Sequence, residues 1–66
     1  MTHLKIGRCV RIHAPRSAYH RHTGTVVYAH LDEAGAAVTV RVQIDGTDER
    51  IWLHRDAVRP LDEEAA

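Results

Sequence analysis

The run Val38-Thr39-Val40-Arg41-Val42-Gln43-Ile44 constrains this chain more than any other feature in it. Its four β-branched apolar residues alternate with three polar ones, and a side-chain period of two puts each set on its own face of a strand. Such a strand has one buried face and one wet face. Asp45-Gly46 follows at once, and both residues tolerate the positive φ that a tight hairpin turn needs. Arg50-Ile51-Trp52-Leu53-His54 then returns as the partner strand.

The same period appears upstream. Gly7-Arg8-Cys9-Val10-Arg11-Ile12-His13 reads as a first strand with Val10 and Ile12 facing in, and Thr25-Val26-Val27-Tyr28-Ala29-His30, opened by Gly24, as a second. Between them Ala14 to Thr23 makes a loop long for so small a domain, and long loops in compact domains are often functional. Asp32-Glu33-Ala34-Gly35 has the chemistry of a turn. Arg55-Asp56-Ala57-Val58 fits one tight helical turn, and Arg59-Pro60-Leu61 a short last strand, where Pro60 is tolerated only at an edge. The expectation is an all-β, five-stranded barrel with a short helical turn before the last strand. It spans residues 6–61, with a tail over 1–5 and an acidic, disordered tail over 62–66. Closure is favoured because it removes exposed sheet edges. The expected core is Val10, Ile12, Val26, Val40, Val42, Ile51, Leu53 and Val58, with Val38 and Ile44 at its ends.

A chain of 66 residues has room for one thin core, which rarely supplies more than about 3–5 kcal/mol of stability. Cys9 is the sole cysteine, so neither an intrachain disulfide nor a cysteine-rich zinc site can form. That usage points to a reducing, cytoplasmic setting. The longest uncharged apolar stretches fall far short of the ~20 residues of a spanning helix, so no membrane partner is expected. Net charge is zero but unevenly placed. Residues 1–31 hold Lys5, Arg8, Arg11, Arg16 and Arg21 with no acid, while residues 32–66 hold nine acids against Arg41, Arg50, Arg55 and Arg59, so the halves are +5 and 4 − 9 = −5. A barrel interleaves early and late strands, so this asymmetry need not survive folding.

Gly7-Arg8-Cys9-Val10-Arg11-Ile12, Gly24-Thr25-Val26-Val27, Val38-Thr39-Val40-Arg41 and a short turn ending Asp56-Ala57-Val58-Arg59-Pro60 follow the order of SH3-like barrels. Within that group Val10-Arg11-Ile12-x-x-Pro15-x-Ser17 and Gly24-Thr25-Val26 most resemble the small stromal barrel protein of photosystem I and the barrel domain of the nitrile hydratase β chain. KOW-type modules of ribosomal and transcription proteins are similar too, but have a short basic, glycine-bearing turn where this chain has its histidine-rich loop. The type II dihydrofolate reductase is a further similar barrel, active only as a tetramer. Its pore-lining Val-Gln-Ile-Tyr would fall near Arg50-Ile51-Trp52-Leu53, which does not match, so no catalytic role carries over.

Six histidines are many for this length. His20-Arg21-His22 has a spacing that a strand would put on one face, yet neither thiol nor carboxylate lies beside it, and a solvated, pH-responsive surface is expected in place of a metal site. Cys9 beside the inward Val10 should face outward, with no third group to orient a nucleophile pair. No glycine-rich phosphate loop exists, and no cofactor or small-molecule substrate is implied. Trp52 points outward if Ile51 and Leu53 point inward, and Arg11 and Arg41 should share its face. Basic and aromatic groups together suit phosphate plus stacking, or an acidic protein surface with an aromatic anchor. The expected function is a non-catalytic accessory or adaptor module that docks on a protein partner or on itself. Its contacts are expected through Arg11, Arg16, Tyr19, His20, Arg21, His22, Arg41 and Trp52. A nucleic-acid-binding module and an oligomeric enzyme with an interface active site are the alternatives.

Overall fold

The structure, a computed structural model, describes residues 4–64. Five antiparallel strands form one sheet in the order β4-β3-β2-β1-β5: β1 (Cys9–Ile12), β2 (Thr23–Leu31), β3 (Ala37–Ile44), β4 (Arg50–His54) and β5 (Val58–Pro60). A 3-10 turn, Arg55–Ala57, joins β4 to β5, and one helical turn, α1 (Leu61–Glu64), follows. The outermost strands are therefore neighbours in the chain. Four Cα steps from His54 to Val58 reach at most ~14 Å, whereas the edges of a flat five-stranded sheet lie about 19 Å apart. The sheet has to curl, which is compatible with a small barrel.

The inside of the curl is Val10, Ile12, Val26, Val40, Val42, Ile44 and Val58, all buried, together with Leu4 and Pro60. Ile51 and Leu53 pack against this core but stay partly exposed, correcting their place among the fully buried residues. β4 is an edge strand that pairs with β3 alone, whereas the other edge, β5, also has α1 packed against it. Val38 is likewise half-buried. Leu4, expected in a tail, is core, and Gly7 (φ 92°) turns the chain from it toward β1. The helical turn α1 occupies the start of the expected acidic tail. There Asp62 accepts two hydrogen bonds from the Arg8 guanidinium, at 2.8 and 2.9 Å, tying the turn to the approach to β1. Residues 1–3, 65 and 66 lie outside the described part.

Two departures from strict alternation shape the surface. The β3–β4 connection is five residues long, not two. Thr47 N–H donates to Ile44 O at 3.2 Å around Asp45-Gly46, and Gly46 alone takes positive φ (80°), as the third position of a type II turn requires. The pairing of β2 with β3 also slips between Val26 and Tyr28: Val26 faces Val42, but Tyr28 faces Arg41. Val27 is the extra residue of a β-bulge, and it re-phases Tyr28 to His30, after which the pairing slips again between His30 and Leu31.

Candidate functional site: an aromatic and arginine face

From Val26 a strict period of two would send Tyr28 and His30 inward. The bulge at Val27 reverses that, so Ala29 turns toward the core while Tyr28 and His30 are exposed. Register then sets Tyr28, Arg41 and Trp52 side by side across β2, β3 and β4, with His30, Thr39 and His54 in the next row. Tyr28 and Trp52 are 51% and 46% exposed, so a ligand has access to both rings.

The rings hold one another. Trp52 meets Tyr28 edge-on at 5.8 Å between centroids, and His30 lies nearly parallel to Trp52 at 4.9 Å and 28°. Tyr28 and His30 touch edge-to-face at 5.5 Å. Such pairs are worth about 0.5–1.5 kcal/mol beyond the area they bury. The Arg41 guanidinium carbon stands 5.8 Å over the indole, a cation–π contact. Its Nε is buried with no hydrogen-bond partner. Among the described residues neither Arg41 nor Arg50, at the end of the next row beside Gln43, is ion-paired with a carboxylate.

The expected contact residues fall into two groups. Arg41 and Trp52 belong to this face, joined by Tyr28 and His30. Arg11 does not: it pairs with Thr23 at the far end of β2, and β2 and β3 stand between its strand and that of Trp52. Its guanidinium donates to Arg21 O at 3.0 Å, bracing the loop of residues 13–22. That loop is a packed succession of turns. Tyr19 is half-buried against the core and meets His22 edge-on at 5.7 Å. His20 Nδ1 accepts from Ala14 N–H at 3.0 Å, which gives the imidazole a structural task. Arg21 takes φ 70°, unusual for a residue with a Cβ, where two residues oppose one: Arg21 N–H donates to Ile12 O, and Ile12 N–H to His22 O. Arg16 stays exposed.

A separate apolar groove of about 1060 Å³ opens where the second half of β2 extends past the shorter β1 toward β5, lined in part by Leu4, Ile6, Ala29, Leu31, Val58 and Pro60. Cys9 is exposed on β1. Among the described residues no three His, Cys, Asp or Glu side chains gather as a metal site, and no helix is long and apolar enough to cross a membrane.

Fold and site together define a small all-β protein built on one antiparallel sheet with an aromatic, arginine-bearing outer face. Compared with known proteins, the chain matches no family model, no curated protein and no solved structure.

Proposed function

We propose that this chain is a non-catalytic binding module, an SH3-like barrel that docks on a macromolecular partner through the outer face of β2, β3 and β4. The barrel reading is supported by the strand order, by β5 returning onto β1, and by the 3-10 turn before that last strand. The observation that carries the binding reading is the mutually braced, exposed set of Tyr28, His30 and Trp52 beside Arg41. Trp, Tyr and Arg are the residues that dominate binding energy at interfaces. Rings already fixed against one another lose little further freedom when a partner arrives.

Affinity capture from the cells of origin tests this, comparing the native chain with Trp52→Ala and analysing retained protein by mass spectrometry and retained nucleic acid by extraction. The native chain should retain a species that the variant loses, while the two unfold at similar temperatures. Equal recovery of the same species by both folded proteins would remove this face from the function.

A further inference from the structure

The whole-chain charge of zero conceals a sharp division. None of the five strands carries an acid, while they carry Arg11, Arg41, Arg50 and Arg59 with His30 and His54. The nine acids all fall in the connections at 32–36 and 45–49, the 3-10 turn and the C-terminal segment from Asp62. Acids are poor strand formers, so part of this division is propensity. Propensity does not account for Arg41 lying over the only tryptophan with no carboxylate partner among the described residues.

Size and chemistry narrow the occupant further. Three strands at ~4.8 Å spacing and five residues at ~3.3 Å rise make a face of about 240 Å² in plan, small beside a standard protein interface, which buries ~800 Å² of accessible surface per partner. Interface cores are also mainly apolar, whereas the outward side chains here are Thr25, Thr39, Gln43, His54 and the two arginines around three rings, with Val27 the one aliphatic neighbour. The exposed aliphatics Ile6 and Leu31, 67% and 62% accessible, line the separate groove instead. A small surface of flat rings and arginines, with the exposed Asp56 carboxylate 3.4 Å from His54 at its rim, matches a ligand with π-faces spaced along an anionic backbone.

We propose that this face binds single-stranded nucleic acid, with unpaired bases stacking on Trp52 and Tyr28 and phosphates held by Arg41 and Arg50. The inference rests on the docking face described above and names its occupant. Two phosphate contacts on a single strand give a slope of about −1.4 in log affinity against log salt, so binding weakens about 25-fold between 20 and 200 mM NaCl.

The test uses fluorescein-labelled dT12 and rU12 in anisotropy titrations at both salt concentrations, with quenching of the one indole followed alongside. A dT12·dA12 duplex serves as the paired control. Expected are binding of dT12, rU12 or both with indole quenching, and weaker binding of the duplex. Trp52→Ala should lower affinity about fivefold or more with the salt slope kept. Arg50→Gln should shrink the slope by about 0.7. Tyr28→Ser gives a second stacking variant should Trp52→Ala unfold. A preference between dT12 and rU12 tells whether the natural strand is DNA or RNA. Absence of binding at 20 mM overturns the inference, as does affinity unchanged in the folded stacking variants or a duplex bound as tightly as the single strand. If oligonucleotides fail while affinity capture still loses a protein on Trp52→Ala, the docking face stands and its nucleic-acid occupant falls.

Discussion

Gly24 sits inside β2 where no turn calls for a glycine, and replacing it with alanine is the sharpest test of the β2–β3 packing. A Cβ on Gly24 would come within 2.5 Å of both Gln43 O and Val42 Cγ1, closer than the 3.0 Å that Cβ atoms essentially never breach. One of these neighbours is a backbone carbonyl of β3, held between β2 and β4, which cannot swing aside as a flexible side chain would. Overpacking of this kind costs about 1–3 kcal/mol. Pushing β2 off β3 to relieve it would also weaken a ladder hydrogen bond worth about 1 kcal/mol. Against these stands the stiffer unfolded chain of alanine, worth about 0.4–1 kcal/mol in its favour. The clash wins, and Gly24→Ala should lose about 2 kcal/mol. For a domain this short, each kcal/mol moves Tm by roughly 4–8 °C, so a fall of about 8–16 °C is expected. Thermal unfolding followed by circular dichroism and by Trp52 emission reads it directly. A Tm at or above that of the native chain would refute the close approach of these strands.

Three further expectations address other parts of the fold. Arg21 at φ 70° stores about 1–2 kcal/mol of backbone strain, so Arg21→Gly should raise Tm by a few degrees after its unfolded-state cost is subtracted; a lower Tm contradicts the assigned conformation. Ile12 is fully buried in β1 whereas Ile51 is only half-buried on the edge strand β4. Ile12→Ala should cost about 2–5 kcal/mol, enough to leave the domain largely unfolded, while Ile51→Ala stays folded in urea titrations; equal losses would mean that β4 is not an edge. The Arg8–Asp62 bridge joins side chains 29% and 73% exposed. An exposed pair contributes no more than about 1 kcal/mol, so Asp62→Asn should shift Tm by no more than about 8 °C; a larger shift would give α1 a structural weight that its exposure does not suggest.

What could be read from the chain alone follows from where one rule acts by itself. Val38–Ile44 and Arg50–His54 keep a strict period of two between turn residues, so β3 lies within one residue of its expected limits and β4 matches them. The turn residues Asp45-Gly46 were legible, but the length of the connection was not, because the Thr47 hydroxyl extends it, donating to Ile44 O and accepting from Glu49 N–H, which no dipeptide signals. Leu4 was invisible as core because Leu4-Lys5-Ile6 alternates over three residues only, too short a run to read as a strand. It becomes core only through the turn at Gly7 and the bond from Gly7 N–H to Val26 O. Arg21 is a harder case, since nothing in an arginine announces a position that usually takes glycine.

The site was half legible for a related reason. Trp52 and Arg41 sit on strands of unbroken alternation, and their outward face could be inferred from Ile51, Leu53, Val40 and Val42. Tyr28 and His30 could not be placed, because period two carried forward from Val26 assigns them to the core, and only the extra residue Val27 sends them out. Val26-Val27 is apolar at both positions and so carries no mark of the bulge. Charge misleads in a similar way. A sum taken along the chain weighs every acid equally, although the acids lie in connections and the C-terminal segment while the strands keep their arginines. A neutral total is thus no argument against an anionic ligand. The quantity a ligand meets is the charge on the face it approaches, and that depends on register, which one bulge resets.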